Sequence, residues 1–294
     1  MTRRTSRGAA RGIPDQQRER SRPYPDKRRQ SGSHITPNRQ RGFSSGKRPY
    51  DYAFYEKETA TKDYMARLFD RHEFSINGDA LEKFWRLYSL LRERNAELDL
   101  TRIMGIEATI LKHYIDSAIV LQYTDIQGPL LDVGSGPGFP GIPVAILRPE
   151  LPVILAESRG KRVGFLEEAV HVLELNNVFI FPKSVREDSP FCAASEDKTI
   201  SLQTLKQPIG NGVLWSVHDV ITRALEHIAP TLSRIASYMP VGGKALFLKG
   251  PQCGQEITEA QETMKGVFKM LSDVHYTLPN SHEHRRLVIF ERRE

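Results

Sequence analysis

Cysteine is scarce in this chain, since only Cys192 and Cys253 occur among its 294 residues. Two cysteines are too few for the disulfide framework of a small secreted domain or for a cysteine-based zinc site. We therefore expect a cytoplasmic protein without a metal site. The chain is long enough for one large domain, or for one domain with an appended segment.

Long apolar runs are missing as well. No stretch reaches the roughly 18 consecutive apolar residues that predict a membrane-spanning helix. The N-terminal region is rich in arginine and lacks the apolar centre of a secretory signal peptide. We expect neither a membrane span nor a secretory signal. An organellar transit peptide remains an alternative, although acidic residues and prolines interrupt any amphipathic helix in this region.

Acidic residues are scarce only near the beginning of the chain. Residues 1–50 contain 14 Lys or Arg and 3 Asp or Glu, whereas the remainder contains 28 and 33, so the net charges are +11 and −5. The abundance of Arg, Ser, Gly and Pro predicts a disordered basic tail over residues 1–60. Such tails bind RNA phosphates without sequence preference, although a solubilising extension is the alternative.

The most informative stretch runs from residue 130 to residue 141. An apolar segment that carries Asp132 predicts a short buried strand, and the apolar segment 142–147 predicts a helix. The turn between them presents backbone N–H groups to a small polar ligand, and glycine permits positive φ angles and close approach. An ordinary tight turn has the same spacing. The glycines are Gly134, Gly136, Gly138 and Gly141.

An acidic residue follows the next predicted strand. The apolar run 153–156 is followed by Glu157, some twenty residues after the first glycine. This is about the distance at which an acidic side chain binds ribose hydroxyls. An amphipathic helix is predicted directly afterwards, over residues 161–175. The arrangement indicates a ligand that contains a nucleoside.

These motifs resemble the RsmG (GidB) family. The resemblance is carried by Asp132-Val-Gly-Ser-Gly-Pro-Gly-Phe-Pro-Gly-Ile-Pro143, Arg148-Pro149, Glu157-Ser158 and Gly160-Lys-Arg162, and it extends from about Phe84 to the C-terminus. It implies S-adenosylmethionine-dependent methylation of a guanine N7 in bacterial 16S ribosomal RNA, guanine 527 being the family's target. The implied partner is 16S rRNA or an assembling small ribosomal subunit, and we expect a monomer.

A further stretch similar to the family contains His113, Asp116 and Ser117. These residue types also occur in hydrolytic triads. All three lie within about one helical turn, and the sequence has no nucleophile elbow. We therefore expect a helix that caps the cofactor crevice.

The predicted elements alternate between strand and helix. Later strands are predicted over residues 177–181, 218–224 and 242–250, then a helix over 255–268 and a hairpin over 274–278 and 286–290. This order predicts an α/β fold of the class I methyltransferase (Rossmann-like) type, with a doubly wound parallel sheet and a terminal antiparallel hairpin. We expect an N-terminal helical segment over residues 61–125 and a methyltransferase domain over residues 126–294. Residues 188–214 are predicted to be a surface insertion.

The resemblance also implies the site residues. The implied cofactor-binding residues are Asp132, Gly134, Gly136, Phe139, Glu157, Val185, Arg186 and Arg223. Arg186 departs from the family, which usually has an acidic residue there. Guanine N7 carries a lone pair and no proton, so catalysis rests on alignment rather than on a general base. Arg223 and Lys249 are the candidate catalytic residues, with roles in positioning.

Two other functions fit parts of the sequence. A cofactor-binding RNA chaperone or ribosome assembly factor without turnover is consistent with the altered segment Ser184–Arg186. An NAD-dependent dehydrogenase is consistent with the glycine spacing. The proline-rich glycine loop and the C-terminal hairpin argue against the dehydrogenase.

Overall fold

The computed structural model describes residues 60–194, 205–209 and 212–293. All but the last residue of the predicted basic tail lies outside these ranges. Every helix in the described part of the chain is too short or too polar to cross a bilayer.

The described chain begins with two capped helices, α1 (Lys62–Arg71) and α2 (Gly78–Leu98). The hydroxyl of Thr61 accepts a hydrogen bond from the backbone N–H of Tyr64 at 3.1 Å, which fixes the start of α1. Asn77 caps α2 in the same way, because its side chain accepts from the N–H of Ala80 at 2.8 Å. Asp99 ends α2 in a left-handed conformation, with φ of 47°.

A run of short helical turns follows α2. A π-helical segment lies between ordinary α-helical turns, and the ring of its Tyr114 stacks on Phe84 of α2 with centroids 4.6 Å apart. This contact joins the run to the first two helices. The turns are α3 (Ile106–Thr109), the π-helical segment (Ile110–Ile115), α4 (Asp116–Ala118) and α5 (Val120–Tyr123).

The centre of the fold is a sheet of seven strands within the described residues. Its strands are β1 (Leu130–Val133), β2 (Val153–Ala156), β3 (Val178–Phe181), β7 (Asp219–Arg223), β8 (Lys244–Lys249), β9 (Phe268–Thr277) and β10 (His284–Arg292). Their order in the sheet is β3-β2-β1-β7-β8-β10-β9. β10 pairs antiparallel with both β8 and β9, and the other pairs are parallel. This is the predicted class I methyltransferase sheet with its terminal hairpin, so the predicted fold class is confirmed.

The strands bury alternate residues on opposite faces. Leu130 and Leu246 face a core shared with the N-terminal helices, whereas Leu131 and Ala245 face the second core. The sheet is therefore covered on both sides, as parallel strands require. The covering helices are α6 (Gly141–Leu147) and α7 (Gly160–Val172) on the first face, and α8 (Ile228–Ile235) and α9 (Gly254–Thr263) on the second.

Residues 188–214, which the sequence predicts to be a surface insertion, are described in part by the structure. They contribute to a second, three-stranded sheet made of β4 (Phe191–Ala193), β5 (Lys206–Ile209) and β6 (Gly212–Val217), in the order β4-β6-β5. Phe191 and Leu205 are buried in the second core. The ring of Phe191 lies 4.8 Å from that of Phe181 at the end of β3. The apolar residues of this segment show no regular spacing in the sequence. Phe191 and Leu205 nevertheless anchor the segment in the second core.

The helix predicted before the hairpin is shorter than expected. α9 ends at Thr263, and Phe268 already belongs to β9. Gly266 lies between them with φ of 92°, a left-handed conformation that ends the helical path.

Candidate functional site

The glycine loop follows β1 at the carboxyl edge of the sheet. Gly134, Gly136 and Gly138 have φ angles of 74°, 58° and 93°, which favour glycine. A Cβ atom on Gly134 would lie 2.5 Å from Cδ1 of Leu225, and one on Gly138 would lie 2.3 Å from Cδ1 of Ile142. The loop therefore needs glycine for its backbone angles, and a larger residue at Gly134 or Gly138 would also displace the end of the Leu225 or Ile142 side chain.

Glu157 follows β2 and is bound to the glycine loop. One carboxylate oxygen accepts from the N–H of Gly136 at 3.0 Å, and the other accepts from the N–H groups of Ser158 and Arg159 at 2.9 and 2.8 Å. The residue is only 6% exposed. These three bonds hold the carboxylate in one orientation.

A cavity of about 320 Å³ opens between the glycine loop, the end of β2 and the end of β3. Three of the residues predicted to bind the cofactor line it: Gly134, Glu157 and Val185. Residues that the sequence analysis did not predict to bind the cofactor line the remainder. These are Val133, Ala156, Ser158, Arg159, Arg162, Lys183, Ser184, Ala224, Leu225 and Arg234.

Asp132 lies beneath the glycine loop and is completely buried. Its Oδ2 accepts from the N–H of Gly141 at 2.8 Å, whereas its Oδ1 has no hydrogen-bond partner among the described residues. Burial raises the pKa of Asp132 to about 7, and the Gly141 bond opposes this shift. An orphaned acceptor at this position suits a ligand with an ammonium group, which S-adenosylmethionine has in its methionine moiety.

Arg223 ends β7 and turns toward the π-helical segment. Its Nη1 donates to the carbonyl of Lys112 at 3.0 Å and to Oδ2 of Asp116 at 3.3 Å, and its Nη2 donates to Nδ1 of His113 at 3.2 Å. The guanidinium carbon lies 5.6 Å from the ring centroid of Phe139. Arg223 thus joins the sheet to the π-helical segment and the glycine loop.

The sequence of this chain matches a known family. A profile of the GidB family, described as rRNA small subunit methyltransferase G, matches residues 80–289. This chain belongs to the GidB family. The resemblance inferred from the sequence motifs is confirmed, and with it the class of S-adenosylmethionine-dependent methyltransferases to which the motifs pointed.

Curated relatives of this GidB-family chain carry related names. It is 39% identical over 230 residues to ribosomal RNA small subunit methyltransferase G 2 of Syntrophobacter fumaroxidans, covering 78% of this chain and 41% of that protein. It is 34% identical over 234 residues to the protein of the same name from Bdellovibrio bacteriovorus, covering 78% of this chain and 81% of that protein. The chain therefore spans less than half of the first relative and about four fifths of the second.

Solved structures are more distant. TrmN from Thermus thermophilus aligns with a TM-score of 0.43 and 16% identity, over 60% of this chain and 48% of that chain. The order and register of the strands define the fold.

The hydrolytic triad considered from the sequence of this GidB-family chain does not form. Ser117 donates its hydroxyl proton to the carbonyl of His113 within the helical run. Asp116 accepts from Arg223 and, at 3.0 Å, from the hydroxyl of Tyr276. His113 and Asp116 instead bind Arg223, which links the helical run to the end of β7. The capping of the cofactor crevice by this run stays a prediction.

Six predicted site residues do not line the cavity: Asp132, Gly136, Phe139 and Arg223, and also Arg186 and Lys249. Arg186 is exposed, and its backbone N–H donates to Oγ of Ser189 at 2.9 Å, in a turn beside a neighbouring groove. Lys249, at the end of β8, donates to the carbonyl of Glu226 and to Oε2 of Glu256. The structure therefore does not bring Arg186 to the cavity.

The residues that sequence reasoning missed come mostly from loops and from a distant helix. Arg159 and Lys183 follow strand ends by two or three residues, and that position was a usable signal. Arg234 lies on α8, far from any motif, and nothing in its sequence context indicates the cavity. Ala224 has φ of 52°, a conformation that the sequence does not announce.

Proposed function

We propose that this chain transfers the methyl group of S-adenosylmethionine to N7 of a guanine in 16S rRNA, the family target being guanine 527. Membership in the GidB family supports the reaction class. The observation that carries the proposal is the rigid carboxylate of Glu157 beside the glycine loop, at the wall of the cavity. We further propose a cytoplasmic monomer that acts on 16S rRNA, free or in an assembling small subunit.

The chemistry requires alignment rather than proton transfer. When bound, S-adenosylmethionine supplies a methyl group on a positively charged sulfur, and the N7 lone pair takes this methyl while the carbon–sulfur bond breaks toward sulfur. The product base is positively charged and no proton moves. The protein therefore has to hold the cofactor and the base in line, which can supply a large part of the rate enhancement.

The cofactor-binding roles follow from the donors and acceptors that remain. A carboxylate offers about four lone-pair sites, and Glu157 uses three of them on backbone N–H groups. The remaining site would accept a ribose hydroxyl. Val185 presents an apolar wall of the cavity for the adenine. Oδ1 of Asp132, which no described residue contacts by a hydrogen bond, would accept from the ammonium group.

The two candidate catalytic residues take different roles in this proposal. Arg223 donates hydrogen bonds to the π-helical segment, and its guanidinium lies over the ring of Phe139 in the glycine loop. Its role in this proposal is therefore to position the glycine loop. The ammonium of Lys249 has three N–H donors and bonds to two oxygen atoms, from Glu226 and Glu256. Its third donor is available for O6 of the guanine or a flanking phosphate, because N7 must stay open for the methyl group.

The test is methyl transfer from labelled S-adenosylmethionine to deproteinised small-subunit RNA and to assembled small subunits, with the modified base identified. The proposal expects 7-methylguanine at a single position. Gly136→Val should weaken cofactor binding at least tenfold, about 1.4 kcal/mol, because valine is strained at φ of 58°. Gly164→Val, with open space around its Cβ position in α7, is the matched control.

A second candidate is an assembly factor that binds the cofactor without turnover. The observation that favours it concerns Arg186, at a position where the family usually has an acidic residue. Arg186 is exposed and lies outside the cavity. Cofactor binding and RNA binding without any methylated product, on both forms of RNA, would establish this alternative and refute the methyltransferase proposal.

A further inference from the structure

Four exposed basic residues surround one side of the cofactor cavity. Arg159 and Lys183 line the cavity, and Lys161 lies on the first turn of α7 next to Arg159. Arg186 lines the adjacent groove, and Arg234 borders both the groove and the cavity. We infer that Arg159, Lys161, Lys183 and Arg186, here called the cationic rim, bind the phosphates of RNA that flank the target guanine.

The first argument is the lack of acidic partners. None of the four rim side chains makes an ion pair or a hydrogen bond with any described residue. Over residues 51–294 the chain has 33 acidic against 28 basic side chains, so partners are not scarce. Some basic side chains elsewhere are paired, for example Arg94 with Glu168 at 2.6 Å. Arg159, Lys161 and Lys183 therefore form a local positive field beside the cavity. Arg186 extends it into the adjacent groove, which Glu187 and Asp188 also line.

The second argument is that this arrangement works against local helix stability. The first turn of α7 contains no acidic residue, and it carries Lys161 and Arg162 next to Arg159 at the N-cap. The positive end of a helix dipole disfavours cations at this position. Arg162 lies 3.7 Å from Glu157, whereas Arg159 and Lys161 gain no such compensation from the described residues. An anionic partner would remove this unfavourable charge arrangement.

The third argument concerns which partner is anionic. S-adenosylmethionine carries a sulfonium and an ammonium group against one carboxylate, so a rim of cations does not attract it. RNA phosphates do attract cations, and their contacts fix the position of the nucleic acid without reading its sequence. The inference rests on the proposed function, since it assumes that the substrate is RNA. It adds that the cationic rim, in addition to the basic tail, binds the phosphate backbone of the RNA.

The test compares two pairs of Lys→Gln changes in the full-length chain. The rim variant is Lys161→Gln with Lys183→Gln. The control is Lys265→Gln with Lys269→Gln, which are exposed and have no ion pair within the described residues. Lys269 on β9 lies opposite Glu291 on β10, and Glu291 lies opposite Lys244, the first residue of β8. Lys269 is therefore near the amino end of β8, whereas the cavity lies at the carboxyl ends of the parallel strands.

The measurement is the affinity for a single-stranded 16S rRNA fragment containing the target guanine, by fluorescence anisotropy at several salt concentrations. Removing two phosphate-binding cations should reduce the slope of log K against log salt by about 1.4 in the rim variant. The control should keep the wild-type slope. Calorimetry with S-adenosylmethionine, run on each variant, reports separately on the fold and the cavity.

The outcomes separate this inference from the proposed function. Equal salt slopes in the rim variant, the control and the wild type would overturn the cationic rim, even where the wild type methylates RNA. Absence of methyl transfer by the wild type would overturn the proposed function. The slope measurement would still decide whether the rim binds RNA, because it needs no turnover.

Discussion

The imidazole of His113 lies flat on the phenyl ring of Phe139, with ring centroids 4.4 Å apart and planes 2° from parallel. Arg223 donates to Nδ1 of this imidazole, so the ring is neutral and its proton is on Nε2. Nε2 lies 2.9 Å from the hydroxyl of Thr101, which accepts this proton's hydrogen bond. One side chain therefore joins the glycine loop, the sheet and the chain after α2.

His113 should make stability depend on pH. Burial, together with the charge of Arg223, lowers the pKa of His113 to about 3, against about 6.5 in the unfolded chain. Between these pH values the unfolded state binds a proton at His113 and the folded state does not. The free energy of unfolding is therefore highest above pH 6.5 and decreases as the pH falls below 6.5. At pH 5 the loss is about 2 kcal/mol.

The variant His113→Gln tests this by denaturant unfolding at pH 5 and pH 7.5. The stability advantage of the wild type over the variant should be about 2 kcal/mol smaller at pH 5. His282→Gln, which changes an exposed histidine, is the control. An advantage that stays constant over this pH range would show that His113 titrates normally.

Asp132 should produce the opposite dependence. Its pKa is raised by burial to about 7 from 3.8, so between these values the folded state holds a proton that the unfolded state has released. Stability without cofactor should therefore fall as the pH rises from 4 to 7, by up to about 1.4 kcal/mol per pH unit. Asp132→Asn keeps an acceptor for the N–H of Gly141 and cannot ionise.

The comparison is unfolding of wild type and Asp132→Asn at pH 4.5 and pH 7.5 without cofactor. The free energy of unfolding of the variant, relative to that of the wild type, should be higher at pH 7.5 than at pH 4.5 by up to about 3 kcal/mol. Asp188→Asn, at an exposed position, controls for the loss of one negative charge. A gain of the same size at both pH values would mean that Asp132 is ionised throughout.

The motifs predicted the parts of the site that depend on local sequence. Glycine spacing, the acidic residue after β2 and the strand ends all lie within short stretches. They led to the prediction that Gly134, Glu157 and Val185 bind the cofactor, and these three residues line one cavity. The β/α alternation also predicted the sheet and its terminal hairpin. These features need no knowledge of distant contacts.

The remaining features depend on contacts between residues far apart in the chain. The position of Arg223 could be predicted, but its orientation toward Asp116, 107 residues away, could not. Arg234 reaches the cavity only because α8 packs beside it. The burial of Leu205 arises from pairing across the small sheet, which no local period reveals.

The contact between Arg223 and Asp116 should be energetically coupled. Their side chains are 16% and 5% exposed and lie 3.3 Å apart. Removing Arg223 leaves the buried Asp116 with the Tyr276 hydroxyl and with Arg285, which lies 3.8 Å away. Arg223→Gln and Asp116→Asn should therefore each cost about 1–3 kcal/mol. The double variant should cost less than the sum, with a coupling of about 1–3 kcal/mol.

Unfolding of the four proteins of this cycle measures the coupling, and single-turnover methyl transfer measures the functional consequence. Arg223→Gln should slow transfer strongly, because the guanidinium that joins Phe139 to the π-helical segment is removed. Additive costs, within about 0.5 kcal/mol, would show that the two residues act independently. A wild-type transfer rate in Arg223→Gln would limit Arg223 to a structural role.

Deleting residues 1–50 should separate RNA binding from cofactor binding. This part carries a net charge of +11, whereas the remainder carries −5. All residues proposed to bind the cofactor lie beyond it, so the affinity for S-adenosylmethionine should stay unchanged in calorimetry. RNA affinity should fall, because the truncated protein releases fewer counterions on binding.

The salt dependence of RNA binding makes this prediction quantitative. For single-stranded RNA, each phosphate that the tail no longer neutralises lowers the slope of log K against log salt by about 0.7. The specificity for the target guanine should survive the truncation, since binding to phosphates does not read sequence. The cationic rim is unaltered in the truncated protein, so part of the slope should persist. That remaining slope should fall by about 1.4 when Lys161→Gln and Lys183→Gln are added to the truncation. An identical slope in full-length and truncated protein would mean that the tail does not bind RNA.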